Sequence, residues 1–380
     1  MKILHFYKNY VHDSQGGLEQ AIYQICRGTK SMGAENRVLT LGNDSRCHTL
    51  EREEATVFSC PCSMEIASCG LSWAAAKNLR EQARWADIIH YHFPWPFADL
   101  LHVLGRFKNP CLVTYHSDII RQKALDFLYS PLKHMFLSSM GRIVSTSENY
   151  VHSSPVLKRY KDKVSVIPLG LDPRTYPEVD EQNVRKWKAR LGRDFFLFVG
   201  VMRYYKGLDF LLDAAKMSNE HFVIVGAGPR EKELHAKADS LGLSNVHFLG
   251  HIRDGDKVAL LSLCSGLVFP SHLRSEAFGL SLLEGAMYGR PLISAEIDTG
   301  TSFINKDGVT GIVVPKSDPQ ALSRAVETLA HNPALAQEMG NNARNRFEQL
   351  FTAQRQAEEY MGQYQHLVSG KKNEHDQCSS

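Results

Sequence analysis

Two glutamates, Glu276 and Glu284, stand eight residues apart in the stretch SEAFGLSLLEGAMYGRP, and their neighbours are small and apolar. On one continuous helix, eight residues would separate the acids by roughly 12 Å and return them to within about 80° of the same face. That is the span of a sugar, a diphosphate and a ribose laid end to end. A plainer alternative is an acid favoured by the helix dipole at its N-terminus, followed by one acid turned to solvent. The segment alone supports either reading.

Other stretches place reactive residue types at the ends of apolar runs. Gly16-Gly17 follows the run KILHFY and opens a helical pattern. A glycine pair there lets backbone N–H groups approach an oxygen-rich ligand at a helix N-terminus. His116 closes CLVTYHS, and HYHFPWPFADLL adds an aromatic, proline-braced loop suited to stacking. Adjacent His116-Ser117-Asp118 cannot form a nucleophilic triad, because neighbours in sequence do not face one another in that way. In VGVMRYYKG, Arg203 and Lys206 stand at a helix start, where the macrodipole disfavours cations. An anion held between them, such as a diphosphate, would explain the pair. Asp254-Gly-Asp256 has a D-x-D look, but it precedes a helical pattern and reads as an N-cap. Gly226-Ala-Gly228 lacks the third glycine of a dinucleotide fingerprint, which argues against nicotinamide chemistry. Gly300-Thr-Ser302 is a weaker small-residue turn.

These residues need elements to hold them. KILHFY, NRVLTLG, DIIHYHF, CLVTYHS, RIVSTS and VSVIPLG read as strands, and a second series follows with DFFLFVG, HFVIVGAG, NVHFLG, GLVFPS and PLISAE. Apolar runs alternating with helical periodicity indicate parallel sheets covered on both faces. The expected organisation is a Rossmann-like domain over 1–170, a Pro- and acid-rich linker over 171–190, and a second Rossmann-like domain over 191–355. A last helix, 356–370, is expected to return to the first domain, before a disordered polar tail at 371–380. Ligands of such sheets lie beyond the carboxyl ends of the strands, so a cleft with the two domains facing across it is the expected site.

Bulk properties narrow the class. The 380 residues carry a net charge of +3, with 43% hydrophobic and 22% charged residues, so nothing asks for nucleic acid. Cys60-Pro-Cys62 with Cys69 fits zinc spacing poorly, and the eight cysteines read as reduced thiols of a cytoplasmic protein. No run of about 20 apolar residues would span a membrane. RQKALDFLYSPLKHMFLSSMGR, with Arg121, Lys123, Lys133 and Arg142, and the knot KRYKDK suggest instead a peripheral attachment to anionic lipid.

Taken together, E-A-F-G-L-x3-E ending in G-R-P, the Gly-Gly loop, H-S-D, R-Y-Y-K-G and G-A-G-P resemble retaining glycosyltransferases of family 4, with the GT-B fold. The opening LHFYKNY, with HYHFPWPF and TYHSD, is similar to bacterial O-antigen mannosyl- and D-rhamnosyltransferases that use GDP-sugars. The resemblance implies that Glu276 meets the donor hexose and Glu284 the ribose hydroxyls. Backbone N–H groups at Phe278, Gly279 and Leu280 would meet the diphosphate or sugar. His116 would lie against the donor sugar, Gly16-Gly17 near it, and His251 and Ile252 beside guanine. Arg203 and Lys206 would stabilise the departing diphosphate. The family often has Arg after the V-G of this strand, where this chain has Val201, so which arginine holds the phosphate stays open. No metal and no cofactor are implied. The implied partners are a GDP-sugar donor and an undecaprenyl-diphosphate-linked glycan acceptor, met at the inner face of the inner membrane. Two other readings compete: a GT-B nucleotide-sugar 2-epimerase, and a non-catalytic sugar-binding protein on the same scaffold.

Overall fold

A computed structural model describes residues 1–11, 16–66, 69–119, 123–192 and 194–378, with backbone alone for 123–126 and 371–378. The chain divides into two compact units: Met1–Gly170 with Ala353–Ser380, and Leu171–Thr352.

The first unit contains strands β1 (Lys2–Phe6), β2 (Glu35–Gly42), β3 (His48–Glu51), β4 (Thr56–Pro61), β5 (Met64–Ile66), β6 (Cys69–Leu71), β7 (Ile88–Phe93), β8 (Cys111–Tyr115), β9 (Arg142–Ser145) and β10 (Val164–Val166). Its main sheet runs β10-β9-β8-β7-β1-β2-β4-β3, parallel except for the β3–β4 pair. Every residue of β7 and β8 is buried, as parallel strands covered on both faces require. Strands β3 to β6 fall outside the sequence expectation. Edge strand β3 has only four residues, half-buried His48 and Leu50 alternating with exposed Thr49 and Glu51, and the β5–β6 hairpin has three-residue arms, too short to show a period.

The second unit contains β11 (Phe195–Val199), β12 (His221–Val225), β13 (Val246–Gly250), β14 (Gly266–Phe269), β15 (Leu292–Glu296) and β16 (Gly311–Pro315), all parallel in the order β13-β12-β11-β14-β15-β16. The stretch 171–190 is structured, not a free tether. Helix Glu181–Leu191 buries Trp187, whose indole N–H donates to Asp256 at 2.8 Å. A tryptophan with its N–H satisfied inside the unit outweighs the local proline and acid content.

From Ala353 the chain rejoins the first unit as one helix, Ala353–Cys378. Tyr360, Met361 and Tyr364 enter a core with Ile3, Ile25, Ile88, Leu112 and Val144. Where polar composition suggests disorder from 371, the backbone stays helical to Cys378; lysine, glutamate and glutamine are good helix formers despite their polarity.

That helix covers an unusually polar side of the first sheet. Alternation along β1, β7 and β8 brings His5, His90, His92 and Thr114 to one side, with His5 in register with His90 and His92 with Thr114. His116 stacks on His92 just past the strand. His90 bonds the Tyr364 hydroxyl through Nδ1 and Thr114 through Nε2, each at 2.7 Å, and Thr114 meets the Tyr360 hydroxyl at 2.8 Å. Burial lowers His5 and His116 to about 3 and His102 to about 4. Burial and the neighbouring imidazoles drive His90 and His92 well below the ordinary value.

All five histidines lie in the first unit, and their depressed folded values fix the sign of its pH response. Below about pH 6.5 the unfolded chain takes up protons that the folded state refuses, so stability falls with acid. Buried Asp99, its pKa raised by burial, binds a proton on folding and offsets one histidine. Each remaining histidine should cost roughly 1.4 kcal/mol per pH unit below that point. Hydrogen exchange read by peptide between pH 7 and 4 should therefore show the first unit opening before Leu171–Thr352. Simultaneous opening of both units would contradict this account.

Candidate functional site

The second sheet reverses its strand order between β11 and β14, so the loops leaving their carboxyl ends diverge and form a crevice, the usual ligand position of such sheets. The loop after β11 ends in one tight helical turn, Tyr204–Lys206, then Gly207, then helix Leu208–Lys216. Gly207 has φ of 71°, and a Cβ there would sit 1.9 Å from the Pro270 carbonyl oxygen. Only glycine allows both the left-handed turn and this approach to the β14 loop. The His272 N–H donates to the Tyr205 carbonyl at 3.0 Å, and the Ser281 hydroxyl to the Val199 carbonyl at 2.7 Å. The two loops are thus bonded backbone to backbone.

This seam brings Lys206 against Glu276, Nζ to Oε2 at 2.5 Å, with side chains only 11% and 12% exposed. Ser271 donates to the same carboxylate oxygen at 3.2 Å, and the ammonium lies over the Phe269 and Tyr205 rings. Isolated charges at such burial would be costly, and the pair with its hydroxyl makes the arrangement tolerable. Arg203 caps the tight turn and is exposed; its charge lies near Tyr205.

The glutamates do not share a helix. Gly279, with φ of 104°, is the N-cap, and the helix runs only from Leu280 to Met287, so the sequence-based rise and angle between the acids do not apply. Buried Phe278 and the Gly300 N–H bond to the Ala277 carbonyl hold residues 276–279 as a loop packed on Gly300–Ile304. Phe278, Gly279 and Leu280 therefore stand at the true helix start, where the first N–H groups have no intrahelical acceptor. Glu284, one turn in, is buried, and its Oε1 receives the Tyr176 hydroxyl and the Lys257 ammonium, both at 3.0 Å. Burial alone would lower the Lys257 pKa, but the Glu284 and Asp254 carboxylates outweigh it and raise the value.

Other expected residues fall elsewhere. Asp254 and Asp256 are not caps: Arg253 is the N-cap of helix Asp254–Leu263, and its side chain makes no capping bond. Asp256 faces Trp187, Lys186 and Arg253, and burial is outweighed by these donors, so its pKa is lowered. In Gly226-Ala-Gly228 the Ala227 carbonyl accepts from the Met202 N–H, which braces the β11 loop. His251 is exposed and Ile252 half-buried in the loop after β13. Gly16, the N-cap of helix Gly17–Ser31, and His116 belong to the first unit, at the carboxyl side of β1 and β8. Cys60 lies 3.2 Å from Cys47, Sγ to Sγ, and does not join Cys62 and Cys69 in a ligand set. Tyr176, Lys257 and Ser271 escaped sequence reasoning: a tyrosine in a proline-rich stretch and a lysine after a D-x-D carry no local signal of a shared carboxylate partner.

The unit thus sets Lys206 with Glu276, Lys257 with Glu284 and a helix N-terminus around a strand-end crevice, a receptor for a ligand that is anionic in one part and hydroxylated in another. Comparisons with known proteins bear on the family. The model described as "Glycosyltransferase Family 4" matches residues 15–175, and that described as "Glycosyl transferases group 1" matches 179–346. The chain is 52% identical to the D-rhamnosyltransferase WbpZ of Pseudomonas aeruginosa, over 93% of each chain. It is 48% identical to the O-antigen chain mannosyltransferase C of Escherichia coli, over 98% of this chain and all of that one. Among solved structures, the sucrose-phosphate synthase of Thermosynechococcus elongatus superposes with a TM-score of 0.81 at 20% identity, covering 97% of this chain and 99% of that one. HepE of Anabaena, in complex with UDP and glucose, gives 0.77 at 18% identity, covering 96% of this chain and all of that one.

The Lys206–Glu276 pair makes a direct prediction. Removing one partner strands the other charge, so Lys206→Met should destabilise the second unit by about 2–3 kcal/mol in denaturant unfolding. The double variant Lys206→Met/Glu276→Leu should be the more stable of the two, since it leaves no unpaired charge. Additive losses would mean that the ion pair is uncoupled.

Proposed function

We propose that this chain, which belongs to glycosyltransferase family 4, is a retaining hexosyltransferase moving mannose or D-rhamnose from a GDP-sugar to a lipid-linked glycan during O-antigen assembly. Its two doubly wound sheets are the two halves of the GT-B fold. The observation that carries the reading is near-full-length identity of about half to both a D-rhamnosyl- and a mannosyltransferase. The second unit binds the donor and the first the acceptor.

In this reading Glu284, with Oε1 pinned by Tyr176 and Lys257, presents Oε2 to the ribose hydroxyls. Glu276 accepts from the hexose. Lys206 exchanges part of its bond to Glu276 for the diphosphate, which also meets the N–H groups from Phe278 to Leu280. As the glycosidic bond breaks through an oxocarbenium-like state, negative charge grows on that diphosphate, and the fixed cation and helix end stabilise it. The leaving phosphate takes the acceptor's proton, which gives retention without a protein nucleophile. Exposed Arg203 supplies the second cation that Val201 cannot. His251 and Ile252 flank the guanine.

Purified enzyme offered GDP-mannose or GDP-D-rhamnose should consume one of them only when an undecaprenyl-diphosphate glycan is added. Glu284→Ala should weaken GDP binding by about 10- to 100-fold, the value of a lost charged acceptor. Glu276→Ala should keep GDP affinity and lose turnover. Equal loss of GDP affinity in both variants would overturn this division of roles.

The acceptor's lipid carrier implies that the enzyme works on the cytoplasmic face of a membrane. Support comes from helix Lys123–Ser139, where Phe127, Pro131 and Met135 recur every four residues on an exposed face, beside exposed Leu128. Exposed Lys158, Arg159 and Lys161 adjoin this helix, because the Tyr160 hydroxyl bonds His134 at 2.9 Å and Lys163 reaches the Ser138 carbonyl. Of the cations expected to face lipid, Lys133 is instead buried near Tyr129 and Asp99, and Arg142 begins β9. Arg121 and the Lys123 side chain lie outside the described residues. The protein should float with vesicles containing anionic lipid and not with neutral ones, and Phe127→Asp/Leu128→Asp should abolish flotation. Flotation indifferent to both changes would remove the membrane role.

A further inference from the structure

Cys47 and Cys60 of the first unit face one another across the edge hairpin, thirteen residues apart in sequence, with their sulfurs 3.2 Å apart. Strand pairing places them there. His48 is in register with Ser59, so one step further along the antiparallel ladder Cys47 stands opposite Cys60. The Arg52 N–H bonds the Ala55 carbonyl at 3.0 Å, and bonded and non-bonded pairs alternate from that point. Cys47–Cys60 therefore falls on a non-bonded pair, where Cα atoms approach to about 4.5 Å and side chains lie closest. A disulfide spans that separation, and closing the sulfurs to about 2.05 Å takes a movement of about 1 Å. We propose that Cys47 and Cys60 are a redox-responsive thiol pair: a hydroperoxide oxidises Cys47, and Cys60 closes a disulfide that staples the edge of the first sheet.

Both thiols lie on the side of the sheet covered by helix Trp73–Trp85. Phe58, two residues before Cys60 and so on the same face, meets Arg37, which also packs on Trp85 and bonds Gln82 of that helix. Asn78 of the helix directs Nδ2 to Cys47 Sγ at 3.8 Å. Exposure then divides the roles: Cys47 is exposed and meets the oxidant, while Cys60 is buried. Burial, with Cys47 beside it, pushes the Cys60 thiol up to about 12, so it is not the group that reacts first. The Cys47 thiolate takes one oxygen from the hydroperoxide; the O–O bond breaks, and the other oxygen leaves as water or an alcohol with the proton Cys47 released. The Cys60 sulfur then displaces the hydroxyl of the resulting sulfenic acid. The S–S bond forms, the S–O bond breaks, and the Cys60 proton leaves with the hydroxyl as water. Two thiols lose two electrons and one hydroperoxide gains them.

Strand β3 ends the sheet and pairs with β4. Loss of that pairing would bare the edge of β4, a template for association with other chains. A bond between Cys47 and Cys60 holds the two strands at the end opposite their turn. Cys62 and Cys69 are not so placed: Cys69 is in register with Ile66, and the Cys62 thiol donates to the Met64 carbonyl at 3.4 Å.

Reduced full-length protein treated with hydrogen peroxide, then digested without reductant, should yield a linked peptide pair joining Cys47 to Cys60. The pair should be two hydrogens lighter than its parts and be split again by dithiothreitol. Oxidation should slow amide exchange across residues 43–60 by about 10- to 100-fold, the scale of loop closure for a ring of this size, and leave 171–352 unchanged. Cys60→Ala should leave Cys47 as a sulfenic acid that dimedone captures. Cys47→Ser, a change at an exposed position, should fold and abolish the link. A main link from Cys47 to Cys62 or Cys69, Cys47 driven to sulfinic acid while Cys60 stays a free thiol, or exchange across 43–60 unaltered by the bond would each overturn the proposal. Neither thiol has a part in the transfer reaction, so failure of the sugar assays would leave this result untouched.

Discussion

The bond between Lys206 and Glu276 is the constraint around which the second unit is arranged. Two charges at about one-tenth exposure cannot be held 2.5 Å apart by flexible loops, so both loops must be rigid. Rigidity comes from backbone: the turn at Gly207 pressed against Pro270, the His272 amide on the Tyr205 carbonyl, and Met202 paired with Ala227. The first two join the β11 loop to the end of β14 across the reversal of strand order, and the third joins it to the end of β12 on the other side. Glu284 repeats the logic on the adjacent helix, held by a lysine and a tyrosine from two other segments.

Sequence patterning made the frame legible because doubly wound sheets have a strong signature. Buried runs such as FFLFV and HFVIV can hardly be other than central strands, and they alternate with amphipathic helices. Residue types just beyond strand ends drew attention to Lys206 and His116, and the eight-residue spacing to Glu276 and Glu284. What failed was conformation between the marks. Periodicity treated SEAFGLSLLEGAM as one helix, whereas Gly279 in a left-handed conformation ends the loop and starts the helix within it. Aspartates before an apolar run look like caps whether or not they cap, and Asp256 instead serves a tryptophan about seventy residues earlier in the chain. Partners so remote in sequence leave no local trace, which is also why Tyr176 and Lys257 were missed.

Burial of polar groups is managed differently in the two units. The second concentrates its charges at the strand ends. The first carries imidazoles and hydroxyls well into its sheet, along β1, β7 and β8, and satisfies His90 and Thr114 from a helix whose tyrosines arrive from the far end of the chain. His-x-His in HYHF is the visible half of that pattern; the tyrosines of helix Ala353–Cys378 are the half that only folding reveals.

That return crossing has a consequence for biosynthesis. Residues 171–352 form a complete unit nested inside the other, entered at Gly170 and left at Thr352. On the ribosome the nested unit emerges whole while the earlier 170 residues still lack Tyr360 and Tyr364, with His90 and Thr114 unbonded on that side. Order of emergence and order of completion are therefore reversed, because the first unit waits for residues that leave the tunnel after the second is finished. During that interval its imidazole-lined sheet is the part of the nascent chain most in need of shelter.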